Sequence, residues 1–87
     1  MTNSAFSWQY ERFRTALVDA RKTAQLTQAE LAKKLQRPQS FVSKYERGER
    51  RLDVVEFLDV ARALKLDPAA VLANLEGLQS RTRKERD

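Results

Sequence analysis

The feature that most restricts this chain is a pair of short helical patterns with a tight bend between them, broken at Gln36-Arg37-Pro38. Proline pushes the residue before it out of helical geometry, while its own fixed φ suits the start of a helix. One helix must therefore stop and another begin with almost no linker. Upstream, Thr27 precedes a helical run and Glu30 follows three residues later, so each side chain can accept from the other's free backbone N–H. Leu26 and Leu31 flank that cap as a hydrophobic staple, and Leu31, Ala32 and Leu35 give the helix one apolar face. Downstream, a helix is expected from about Pro38 to Arg47, closed at Gly48, the residue best suited to a left-handed turn. Val42 and Tyr45 point inward.

The other face of that second helix carries Gln39, Ser40, Phe41, Ser43, Lys44 and Arg47. A merely solvated helix would offer alternating Glu and Lys. Here an amide, two hydroxyls and an aromatic ring come first, and cations follow. Amides and hydroxyls pair with base edges in a major groove, and an apolar side chain can rest on a thymine methyl. Lys and Arg neutralise phosphate. The plainer reading, a solvent-facing helix rich in Gln and Ser, loses ground once the arrangement is taken whole.

Around this pair the rest of the chain is also helical. Phe6, Tyr10, Phe13 and Leu17 recur at helical spacing, continued by Ala20 and Ala24, which predicts a first helix from about Ser7 to Ala24. Such an aromatic stripe reads as core. Trp8 falls off it and suits either the end of the core or a partner surface. After a short basic loop, Asp53 and Glu56 repeat the reciprocal cap, with Leu52 and Phe57 as its staple. The fourth helix then runs to about Leu64, with Val54, Phe57, Leu58, Ala61 and Leu64 inward. Asp67-Pro68 opens a fifth, with Asp67 as cap, Pro68 at the first helical position and Leu66 stapled to Val71; it should end near Asn74–Glu76. No strand-like alternation occurs. The expectation is an all-α domain of five helices over residues 1–78 and a charged, disordered tail over 79–87.

Composition narrows the function. A chain of 87 residues holds one small core, and the absence of Cys and His removes disulfides, thiolate chemistry and His-based metal sites or acid–base catalysis. No grouping of acids and nucleophiles suggests an enzyme, a cofactor or a metal, and no stretch suits a membrane span or signal peptide. The expected setting is cytoplasmic. The net charge of +5 favours a polyanionic partner only moderately, but its distribution is sharper. Arg37, Lys44, Arg47, Arg50 and Arg51 gather against Glu46 and Glu49, and the tail adds Arg81, Arg83, Lys84 and Arg86.

The runs Thr27-Gln28-Ala29-Glu30-Leu31-Ala32 and Gln39-Ser40-Phe41-Val42-Ser43-Lys44-Tyr45-Glu46-Arg47-Gly48, with Arg50 after them, resemble the Cro/phage-repressor type of helix-turn-helix, the XRE family. The resemblance covers roughly residues 11–76. It implies a compact five-helix, lambda-repressor-like domain in which helices two and three form the DNA-binding unit and the third is the recognition helix. On that pattern Gln39, Ser40 and Ser43 face base edges, and Phe41 meets a thymine methyl. Gln28, at the N-terminus of helix two, grips a phosphate, and Lys44, Arg47 and Arg50 add phosphate or base contacts. It also implies a partly buried ion pair between Arg21 and Glu46. Gln25 and Gln36 stand where the family commonly has glycine, so their left-handed turns carry a cost.

The function implied is that of a sequence-specific regulator, a repressor reading a palindromic operator as a homodimer on double-stranded DNA. Val71, Leu72, Leu75 and Leu78 are the first candidates for the dimer surface, although they would serve equally to complete the monomer core. The alternative function is an antitoxin-type or other protein-binding module whose DNA binding is autoregulatory.

Overall fold

A computed structural model describes residues 8–76, and every regular element among them is helical. α1 spans Trp8–Thr23, α2 Gln28–Leu35, α3 Gln39–Glu46 and α4 Val54–Leu64. A fifth helix, α5, covers 68–76. The expected Phe6, Gly77 and Leu78 positions and the 79–87 tail lie outside the described residues.

The starts of the helices follow the local code. The Thr27 hydroxyl accepts from the Glu30 N–H at 3.0 Å, and the Glu30 carboxylate accepts from the Thr27 N–H at 2.8 Å. Asp53 and Glu56 do the same at the head of α4, at 2.7 and 3.0 Å. Asp67 accepts from the Ala69 N–H at 3.0 Å, which leaves Pro68 at the first helical position. Pro38 sits one place earlier than expected: its ψ of 152° makes it the cap of α3 rather than its first residue, and no side chain caps that end.

Four helix ends close alike. In each, the residue beyond the left-handed position donates back five residues: Leu26 to Arg21 (3.2 Å), Arg37 to Ala32 (3.0 Å), Glu49 to Lys44 (2.9 Å) and Leu66 to Ala61 (2.8 Å). Only α3 uses glycine for this, Gly48 with φ 79°. Gln25, Gln36 and Lys65 take the same conformation at φ 62°, 58° and 58°. A side chain there costs roughly 1 kcal/mol against the following carbonyl, which the two satisfied orphan carbonyls offset. Lys65 was not among the positions marked by the sequence.

Phe13 and Leu17 of α1, Leu31 and Ala32 of α2, Val42 and Tyr45 of α3, and Phe57, Val60, Ala61 and Leu64 of α4 converge in one core. The Phe13 ring meets Phe57 edge-on at 5.1 Å and Tyr10 at 5.5 Å, a favourable aromatic geometry. Leu26, Leu52 and Leu66 pack on its rim, where the staples place them. Two residues of α4 depart from expectation: Val54 is 72% exposed and Leu58 40%. Seven residues return nearly to the same azimuth, so Val54 stands in line with Ala61 at the edge of the packing face, on its Leu58 side, and two turns closer to the helix start, where the core no longer covers it. The face that packs is Phe57, Val60, Ala61 and Leu64, joined by Glu56.

Candidate nucleic-acid interface

α3 is held at its C-terminal end by a buried carboxylate. Glu46 accepts from Arg21 Nε at 2.7 Å and Nη2 at 3.1 Å, a forked pair, and from Gln28 Nε2 at 2.9 Å. Arg14 donates to the Glu46 main-chain carbonyl, which satisfies a terminal acceptor with a cation where the helix dipole favours one. Arg21 also donates to the Leu26 carbonyl at 2.7 Å, so one guanidinium ties together α1, the α1–α2 turn and α3. The hydrogen bond to Glu46, opposed by burial, raises the Arg21 pKa and keeps the cation charged. Beside this cluster the Tyr45 hydroxyl is buried without a partner among the described residues, and burial pushes its pKa up.

On the opposite side of α3 a second carboxylate, Glu56 of α4, fixes the loops that flank the helix. Arg50 forks onto it at 2.8 and 2.7 Å, and Arg37 approaches to 3.6 Å. The Arg50 hydrogen bonds, followed by that from the Asp53 backbone, lower its pKa to about 2. Between these cations lies Phe41. Arg37 stacks 4.5 Å from its ring centroid, Arg50 5.0 Å, and Tyr45 meets it edge-on.

This corrects the placement of Phe41. The sequence pattern puts it on the outward face for a thymine methyl, but only 8% of it is exposed. Two guanidinium groups and a neighbouring ring cover an apolar surface that water would otherwise face. Arg50, assigned to DNA, is engaged with Glu56 and the α3–α4 loop. Gln28, assigned to a phosphate, spends its amide N–H on Glu46.

What remains outward is a narrower edge. Gln39, Ser40 and Lys44 are exposed, and Ser43 is half-buried with its hydroxyl 3.4 Å from the Ser40 carbonyl. Arg47 is exposed at the end of the helix and forks onto Glu49 at 2.9 and 3.1 Å, an arrangement water can replace at little cost. The structure thus brings Gln39, Ser40, Ser43 and Lys44 onto one side of α3. Of the other four assigned residues, Arg47 stands exposed at the end of the helix, while Gln28, Phe41 and Arg50 take part in holding that helix in place.

Sequence reasoning missed Arg14, Arg37 and Glu56 as fixing residues. Arg14 lies seven residues before Arg21 and so on the same side of α1, which is a readable signal. Glu56 was legible only as half of a cap. Of the candidate dimer residues, Leu72 is 50% exposed, whereas Val71 and Leu75 pack against the core, and Leu78 lies outside the described residues. Among the described residues, no group of His, Cys, Asp and Glu could hold a metal ion and no helix is long and apolar enough to cross a membrane.

A helix-turn-helix family model matches residues 17–71, which contains α2, the turn and α3. No curated protein matches the chain. Among solved structures, an XRE-family like protein from Pseudomonas syringae pv. tomato str. DC3000 is 51% identical, with a TM-score of 0.78 over 80% of this chain and 85% of that one. With its helix pair, its fixed third helix and this likeness across most of its length, the chain belongs to the XRE family of DNA-binding, helix-turn-helix transcription regulators.

Proposed function

We propose that the protein is a repressor that binds a palindromic operator as a homodimer, with α3 in the major groove. The observation that carries this reading is the exposed edge of Gln39, Ser40 and Lys44 on a helix pinned from both sides. A Gln amide presents a donor and an acceptor at the spacing of an adenine edge, a lysine donates to guanine, and serine serves either. The mount matters because it presents those groups together on one side of the helix.

Phosphate contacts supply affinity without sequence preference. The exposed Arg47 would serve this, since exchanging Glu49 for a phosphate costs it little. Affinity should then fall steeply with salt. Two copies related by a two-fold axis would read half-sites about 10–10.5 base pairs apart. The exposed Leu72, beside a groove of about 390 Å³ lined by Tyr10, Leu52 and Leu75, supports a dimer contact at α5. The mechanism is occupancy of the operator.

Selection of bound sequences from random duplex DNA tests this. An enriched palindrome is the expected result; an enriched single half-site would refute the dimer, and no enrichment at moderate salt would refute sequence reading. Against the selected site Gln39→Ala should lose about 1–3 kcal/mol of binding, with little change on random DNA.

A further inference from the structure

We infer that the outward face of α4 is a docking surface for an acidic amphipathic helix of another protein, separate from the edge that reads DNA. Val54, Leu58, Arg62 and Lys65 recur at helical spacing, and Val55 lies beside the first of them. All five are exposed, the two valines by 72% and 68%. The stripe is graded. Its first half is apolar and its second half is cationic.

The cationic half opens into a groove of about 460 Å³ between the C-terminal ends of α2 and α4. Lys34, Arg62 and Lys65 supply its charge, Leu35 and Ala63 its apolar lining, and Asp59 its one acid. Asp59 is engaged with Arg62 at 3.2 Å, which leaves the groove positive. Gln36 and Lys65, two of the three non-glycine residues in left-handed geometry, both line it. Glycine would relieve that strain but would remove the side chains that the groove presents.

The gradient selects the occupant. Duplex DNA offers phosphate to the cations but nothing to Val54, Val55 and Leu58. A second copy packed antiparallel on the same stripe would lay Arg62 and Lys65 over an apolar surface without a carboxylate. An amphipathic helix with leucines on half of one face and glutamates on the other half matches both parts, in the manner of a helix laid into a groove. From Val54 to Lys65 the stripe runs about 16 Å, three turns. Arg62 and Lys65 therefore stand at the far end of α4 from the loop that follows α3.

The test is titration of the full chain with a synthetic peptide of about 20 residues carrying that pattern, followed by backbone amide shifts. The expected result is shifts at Val54, Val55, Leu58, Arg62 and Lys65, with the Gln39–Lys44 amides unmoved. Val55→Glu should weaken the peptide about tenfold, the loss of one buried valine, and leave DNA affinity unchanged. Lys65→Gly should weaken it about threefold while the melting temperature stays level or rises, because the turn is relaxed as the cation is lost. Equal binding of a peptide with lysine in place of glutamate would overturn the inference. So would the same amides shifting with duplex DNA, which would make the stripe part of the nucleic-acid surface, or on concentrating the protein alone, which would make it a self-contact.

Discussion

Glu46 takes its fork from Arg21, whose side chain is 11% exposed, whereas Glu56 takes its fork from Arg50, 41% exposed. Both carboxylates are nearly as buried as the apolar core, and both hold α3 to its neighbours, Glu46 directly and Glu56 through the Arg37 and Arg50 groups stacked on Phe41. Their surroundings differ in one respect that matters. If the Glu46 pair is broken, the surviving cation stays largely buried between α1 and α3, with the Leu26 carbonyl as its remaining partner. If the Glu56 pair is broken, Arg50 can turn outward and hydrate. A buried pair is weak evidence of net stability, but removing one member of it is costly because the other is left unpaired. The same chemistry thus fixes one end of α3 rigidly and the other end with some give.

The comparison yields graded expectations. Glu46→Gln should cost about 3 kcal/mol or more, a fall of roughly 15 °C in melting temperature for a domain of this size. A loss below that of the matching change at Glu56 would break the contrast outright. Glu56→Gln should cost only about 1–2 kcal/mol, because the amide oxygen still accepts from Asp53 and Arg50 rehydrates. Acid separates the two further. The Glu56 carboxyl is lowered from 4.5 to about 2, so its contribution is complete above pH 4.5 and fades as pH falls toward 2. The melting-temperature gap between wild type and Glu56→Gln should accordingly close across that window; a gap constant down to pH 2 would mean that the Arg50 fork carries no stability. The smallest effect belongs to a site that touches neither carboxylate. Gln25→Gly should raise stability by about 0.5 kcal/mol, since relief of left-handed strain exceeds the extra freedom of glycine in the unfolded chain.

The contrast also bears on the reading edge. Gln39 and Ser40 belong to the turn of α3 nearest Phe41 and the Arg50 fork, while Arg47 and Gly48 adjoin Glu46. The groups assigned to base edges therefore sit on the more yielding mount and those assigned to phosphate on the firmer one. Binding measurements on Glu56→Gln should show whether that give serves adaptation to DNA.

Much of the fold was legible without coordinates, and the reason is local. Reciprocal caps at Thr27–Glu30 and Asp53–Glu56, the Asp67-Pro68 start and the Gly48 stop involve residues within a turn of each other. Chain chemistry decides them before any packing occurs. The face of α4 was less legible: Val54 and Leu58 satisfy a helical pattern as well as Val60 does, and where the core ends is not written in the period. Phe41 misled for a related reason. An aromatic ring beside Gln and Ser reads as part of their face, and only the guanidinium groups folded over it from the α2–α3 turn and the α3–α4 loop show that it is covered.

The sequence by itself determined, to within a residue or so, where the helices start and stop, that two of them meet across a tight turn, and which polar residues the second could turn outward. These depend on neighbours in the chain. The tertiary structure alone decided which polar and cationic side chains are spent on holding the helix, because Gln28, Arg14, Arg37 and Arg50 find their partners across 18, 32, 19 and 6 residues. A side chain able to bind either a carboxylate or a phosphate is assigned by whichever the fold places within reach.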